Sequence, residues 1–210
     1  MQAATKNQWV DFWKHLGATG DALQYWNRLE QAYSENWRAY HNLRHIGHCL
    51  AEFAEAKQQA KDPNALEAAI WFHDAVYDTH AKDSEERSAD LAREVLTSGG
   101  LPADFVSNAT SLILATKHNH APTGHDDGLM VDIDLSILGQ DSERYARFEK
   151  EIRDEYSWVS PLNFAIGRTA VLNNFLTRKT IYNAAPFIGK YEAQARGNLA
   201  WAITRLGEQR

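Results

Sequence analysis

Ala68-Ala-Ile-Trp-Phe-His73-Asp74-Ala-Val-Tyr77 sets two ionisable side chains inside a run of apolar ones. Asp62-Pro63 precedes it, and the pattern predicts a helix from about Asn64 to Tyr77. Apolar residues surround the His-Asp pair on every face, and a helix apolar all round is a buried helix. An ionised carboxylate there is costly unless it is paired, hydrogen-bonded or bound to a cation. Asp74 therefore needs a partner. One answer is a metal ion, for which neutral His73 is a compatible second ligand. The other is a neighbouring helix N-terminus or an arginine.

Helical periodicity continues on both sides. Ala22, Tyr25, Trp26, Leu29 and Tyr33 recur at steps of three and four, and Leu43, Ile46, Leu50 and Phe53 repeat the pattern. A further helix starts near Asp83-Ser84-Glu85-Glu86, where Asp83 and Glu86 have capping-box spacing, and stops at Gly99-Gly100. Residues 103–118 form the next, behind Pro102. Residues 119–128 carry Pro122, Gly124, Asp126, Asp127 and Gly128 and read as a loop. Helices resume at about 132–138, 141–157, 161–178 and 187–207. No segment of four or more residues alternates as a half-buried strand does, so the expected class is all-α. With no repeat, low-complexity tract or linker, the expectation is one domain over 1–210. Residues 1–20 would be an N-terminal helical extension, 37–140 would hold the chemistry-bearing residues, and 141–210 would be C-terminal helices.

Composition narrows the function. The 210 residues hold 22 Lys+Arg against 28 Asp+Glu, a formal net charge of −6. A general nucleic-acid or anionic-membrane binder would be basic, whereas a small anionic substrate in a local basic pocket is compatible. The single cysteine, Cys49, rules out an intrachain disulfide framework and fits a reducing compartment. The first ten residues show no apolar signal core, and the longest apolar run falls far short of the ~20 residues that span a bilayer. The expectation is a cytoplasmic protein without a membrane partner. Trp9, Phe12 and Trp13 could pack on the domain or on the second subunit of a homodimer.

His41, His45 and His48 fall within about a 60° arc if the segment is helical, with Glu52 inside it. That arc lies opposite the Leu43/Ile46/Leu50 stripe, so periodicity alone turns it to water, and a metal or catalytic role is the alternative. The zinc-protease motif His-Glu-x-x-His is excluded because Asn42 cannot act as a general base. In Val131-Asp-Ile-Asp134-Leu-Ser-Ile-Leu-Gly139, either acid could cap a helix or complete a site with two histidines. Spacing does not choose between them.

Taken in order, His45, His73-Asp74 and Asp134 resemble the signature of the HD superfamily of metal-dependent phosphohydrolases, an all-α helical bundle. Tyr40-His-Asn-Leu-Arg-His45 also resembles the Tyr-His-Asn-x-x-His segment of the cyclic-nucleotide phosphodiesterases, and Asp134-Leu-Ser their Ala-Asp-Leu-Ser segment. Phe72-His-Asp-Ala-Val-Tyr77, Glu85-Glu-Arg-Ser-Ala89, Ala115-Thr-Lys-His118 and Ile152-Arg-Asp-Glu-Tyr156 extend the likeness to a bacterial group of HD proteins over roughly residues 37 to 207. The resemblance implies His45, His73, Asp74 and Asp134 as metal ligands, with Asp132 as the fallback for Asp134. It implies a divalent ion (Mn, Mg, Fe, Co, Ni or Zn) and hydrolysis of a small phosphate ester, a nucleotide for preference. Asp74 would also orient the attacking water, and His41 would protonate the leaving oxygen. With no cysteine in that ligand set, a thiolate-type closed zinc site is not expected. His118, His120 and His125 lie where some HD enzymes add second-metal ligands, and Lys117 and Arg44 could meet substrate phosphate. Two alternatives on the same scaffold are a di-iron oxygenase and a non-catalytic nucleotide-sensing module.

Overall fold

A computed structural model describes residues 2–118 and 122–208. Among them the chain is all-α, with ten α-helices, two short 3-10 segments and no strand. No described helix is long and apolar enough to cross a membrane. The chain divides into two compact units, Met1–Ile133 and Asp134–Arg210.

The first unit contains α1 (Lys6–His15), α2 (Ala22–Tyr33), α3 (Leu43–Ala56), α4 (Pro63–Phe72), α5 (Ser84–Ser98), α6 (Ala103–Ala115) and α7 (His125–Asp134, whose final residue opens the second unit). Its centre is α4. Asp62 caps that helix by accepting from Ala65 N–H, and Pro63 occupies the first turn, where its missing N–H costs nothing. Ala65, Leu66 and the run Ala68–Phe72 are all buried, and α4 packs against α3, α5 and α6. Trp9 on α1 meets Trp71 edge-on at 5.5 Å and Phe72 at 5.7 Å, so the N-terminal aromatics pack on their own unit.

Gly47 on α3 is required by a close approach. A Cβ there would lie 2.1 Å from Gln2 O and 2.7 Å from Ala4 N, because residues 2–4 cross the helix at that point. Ala4 N–H donates to Leu43 O at 2.8 Å. Gly47→Ala gains ~1 kcal/mol of helix propensity. It must also displace the crossing segment, an overpacking cost of ~3 kcal/mol together with a lost hydrogen bond of ~1 kcal/mol. The expected net loss is ~2–3 kcal/mol in urea unfolding, and an unchanged midpoint would refute the clash.

Three sequence expectations are corrected here. The α4 helix stops at Phe72 instead of Tyr77. Arg38 accounts for the break: it donates to Asp74 O at 2.6 Å and Ala75 O at 3.2 Å, while Ser88 bonds both the N–H and the carbonyl of Val76. These partners hold 74–76 in a turn, with the Val76 N–H taken from the i→i−4 ladder by Ser88 Oγ. Second, the segment read as a loop to residue 128 turns helical at His125, where Asp127 accepts from Gly124 N–H at 2.9 Å and Asp126 accepts from Lys61 N–H and Asp62 N–H. Third, Asp83 makes no side-chain cap bond, and Glu86 pairs with Lys117 instead.

The second unit contains a 3-10 segment (Leu135–Gly139), α8 (Ser142–Glu155), α9 (Pro161–Leu176) and α10 (Ala185–Gly207). The long α10 packs on α8, α9 and the 3-10 segment. Buried Asn198 ties α10 to that segment, donating to Leu138 O and Gln140 O, each at 2.8 Å. Arg168 forms a two-pronged pair with Glu149 at 2.7 and 3.1 Å, and Tyr145 OH donates to the same carboxylate at 2.6 Å. That pairing joins α8 to α9 with its charges matched.

Candidate metal centre

His45 sits in the first turns of α3, and its side chain is buried. Asn42 caps that helix through Arg44 N–H, so α3 begins after His41. The face predicted to look at water is in fact internal: His45, His48 and Glu52 are all buried. The stripe argument misses this because segments from both sides enclose α3, the crossing residues 2–4 among them.

His73 is the C-cap residue of α4 and is buried. Its Nδ1 lies 3.0 Å from Ile70 O, one of the carbonyls a helix end leaves without an intrahelical partner. A carbonyl can only accept, so Nδ1 carries the hydrogen and neutral His73 presents an Nε2 lone pair. That atom faces His45 Nε2 at 3.0 Å. Asp74 Oδ2 lies 3.2 Å from both imidazole nitrogens. Because α4 ends before it, Asp74 stands at the mouth of the buried run, with its side chain 16% exposed.

Burial alone would raise the Asp74 carboxyl. The surrounding imidazoles of His73, His41 and His45 outweigh burial and hold it well below the usual carboxylate range. It therefore stands as a carboxylate beside two ring nitrogens. Two ring nitrogens and a carboxylate oxygen converge, and one proton between them is not the only way to hold them together. A divalent cation is another. Ligand atoms ~2.1 Å from an ion at right-angle spacing sit about 3.0 Å apart, close to the separations of 3.0 and 3.2 Å here. Two imidazoles and one carboxylate on one side of an ion leave its other positions open. The donor set thus fits a metal.

Asp134 ends α7 and joins the cluster. Donor atoms of His45, Cys49, His73 and Asp134 all lie within 4.8 Å of one another. Asp132 is wholly buried on the same helix, but two residues along a helix rotate a side chain by about 200°, so it does not share Asp134's direction. Both acids lie at the C-terminal end of α7, and Asp134, at the N-cap position of the 3-10 segment 135–139 that follows, makes no side-chain cap bond.

His41 precedes the cap of α3. Its ring stacks on Tyr77 at 4.0 Å and lies 5.9 Å from the His45 ring, part-exposed at the edge of the cluster. Arg38 fixes its backbone by donating to His41 O at 3.2 Å. The other sequence candidates are not among these four donors. Lys117 is engaged with Glu86. His118 has a left-handed backbone with φ of 55°. His125 Nε2 contacts Gln59 O at 2.8 Å. Arg44 is exposed, and His120 lies outside the described residues.

Cys49 is the member that sequence reasoning left out of the ligand set. It sits one turn after His45 on α3, and that spacing was the available signal. Comparison with protein-family models, curated proteins and solved structures gives no match. What is shown is a His/Cys/His/Asp cluster compatible with a metal ion in an all-helical chain.

Proposed function

We propose that this chain is a metal-dependent phosphohydrolase of the HD superfamily, acting on a small phosphate ester, a nucleotide for preference. The observation that carries the reading is the meeting of His45 Nε2, His73 Nε2 and Asp74 Oδ2 within 3.2 Å. These residues, with Asp134, occur in the superfamily's order of His, His-Asp and Asp. A bound divalent ion would supply Lewis acidity toward a phosphoryl oxygen and a water of lowered pKa. His45, His73, Asp74 and Asp134 would hold it.

The chain's own groups divide the remaining work. Asp74, at the mouth of the cluster, accepts a hydrogen bond from the attacking water and orients it. His41, part-exposed and stacked on Tyr77, donates a proton to the leaving oxygen as general acid. The His41–Tyr77 stack also offers an aromatic wall beside the phosphate position. The di-iron alternative needs further histidine ligands, and His125 is occupied with a backbone carbonyl instead.

The test is phosphate release from nucleoside monophosphates, cyclic nucleotides, pyrophosphate and sugar phosphates by metal-free protein resupplied with Mn, Mg, Fe, Co, Ni or Zn. Ion-dependent release that a chelator abolishes is expected. Protein that holds an ion yet releases nothing from any ester overturns the reading. His41→Ala is expected to bind the ion normally and turn over ~10²–10⁴-fold more slowly. A wild-type rate across pH would remove His41 from the mechanism.

A further inference from the structure

Cys49 is the one cysteine of the chain, and it is fully buried. A buried cysteine commonly serves as a small hydrophobe among apolar neighbours. This one has polar neighbours. Its Sγ lies 3.7 Å from His45 Nδ1 and 3.8 Å from His45 Nε2, and it falls in the 4.8 Å group with His73 and Asp134. Zinc bonds of ~2.3 Å to sulfur and ~2.0–2.1 Å to nitrogen put the two donors roughly 3.1–3.6 Å apart when they share an ion. The sulfur stands beside the imidazole, nearly equidistant from its two nitrogens, so a rotation about the Cys49 Cα–Cβ bond is needed to bring it from the 4.8 Å group onto an ion held by His45 Nε2.

We propose that Cys49 is a ligand of the metal centre and makes it selective for a thiophilic divalent ion, Fe, Co, Ni or Zn, over Mg, Ca or Mn. This rests on reading the cluster as a metal centre and adds to it the class of ion. Imidazole and carboxylate donors alone accept both groups of ions, whereas a thiolate shifts the preference toward the softer group. Binding releases the thiol proton to solvent. Cys49 shares α3 with His45, so one helix sets the sulfur and the first imidazole in register.

Cobalt tests this directly. Metal-free full-length protein is titrated with Co(II) and its absorption recorded, alongside Cys49→Ala and Cys49→Ser. Wild type is expected to show visible ligand-field bands and a near-ultraviolet sulfur-to-cobalt charge-transfer band that saturate together at one ion per chain. Both variants are expected to keep the visible bands and lose the near-ultraviolet one. Their preference for Co(II) over Mg(II), measured by competition, should fall by ~10-fold or more. With one cysteine in the chain, the band has one thiolate source. Visible bands without charge transfer in wild type overturn the role of Cys49 and leave the metal centre standing, even if neither variant folds. Spectra identical in wild type and variants do the same. Failure of wild type to bind Co(II) at all overturns both the role of Cys49 and the metal centre.

Discussion

Asp74→Asn is expected to lower affinity for divalent ions by more than ~100-fold and to remove measurable phosphate release. Changes in groups that merely support a ligand cost ~10–100-fold in metal affinity, and a direct ligand should exceed that. The substitution keeps the shape and deletes the charge. Its amide can still donate to the His73 Nε2 lone pair, which now lies 3.2 Å from the carboxylate oxygen, so the metal-free fold should survive. Metal content after dialysis against a competing chelator, read beside a urea melt, separates the two effects. An Asp74→Asn protein that retains its ion at wild-type affinity would show that Asp74 does not ligate it.

Arg38→Ala is expected to destabilise the first unit by ~3–5 kcal/mol, chiefly because three backbone carbonyls lose their donor at ~1–3 kcal/mol each where water cannot reach. The Arg38 side chain is 1% exposed. Its guanidinium donates to the carbonyls of His41, Asp74 and Ala75 and to Glu35 Oε2, and it lies over the rings of Tyr33 and Tyr77. Glu35 adds little, being one-third exposed. Arg38→Lys should recover only part of the loss, since an ammonium lacks the planar fork that spans several carbonyls. A shift below ~1 kcal/mol in denaturant unfolding would refute the clamp. Arg38 is a positioning residue: it fixes the backbone carrying His41 and Asp74, so any folded fraction of either variant should also bind metal more weakly.

The helical class, and the boundaries of α5, α6, α8, α9 and α10 to within about three residues, were legible because these helices obey local rules of apolar period and terminal Pro or Gly. What was not legible depended on partners distant in sequence. The end of α4 at Phe72 is set by Arg38 and Ser88, 34 residues before and 16 after it in the sequence. The burial of His45, His48 and Glu52 cannot be seen from α3 alone, because a face that looks polar in isolation becomes internal when neighbouring segments cover it. Asp132 and Asp134 could not be told apart until α7 proved to start at His125, which makes them the end of a helix and fixes their relative directions. Cys49 was passed over because pattern matching asks for the residues a signature names, and helical geometry asks which side chains share a face.

The distribution of tryptophan has a spectroscopic consequence. Trp9, Trp13, Trp26 and Trp71 are buried and belong to the first unit, whereas Trp37, Trp158 and Trp201 are exposed. Indole emission moves to longer wavelength when a shielded ring enters water, and an already wet ring has little left to move. Denaturation followed by emission colour should therefore track the melting of residues 2–133 and be nearly blind to α8, α9 and α10, whose loss far-ultraviolet circular dichroism would register. A mismatch between the two signals would measure how independently the halves come apart.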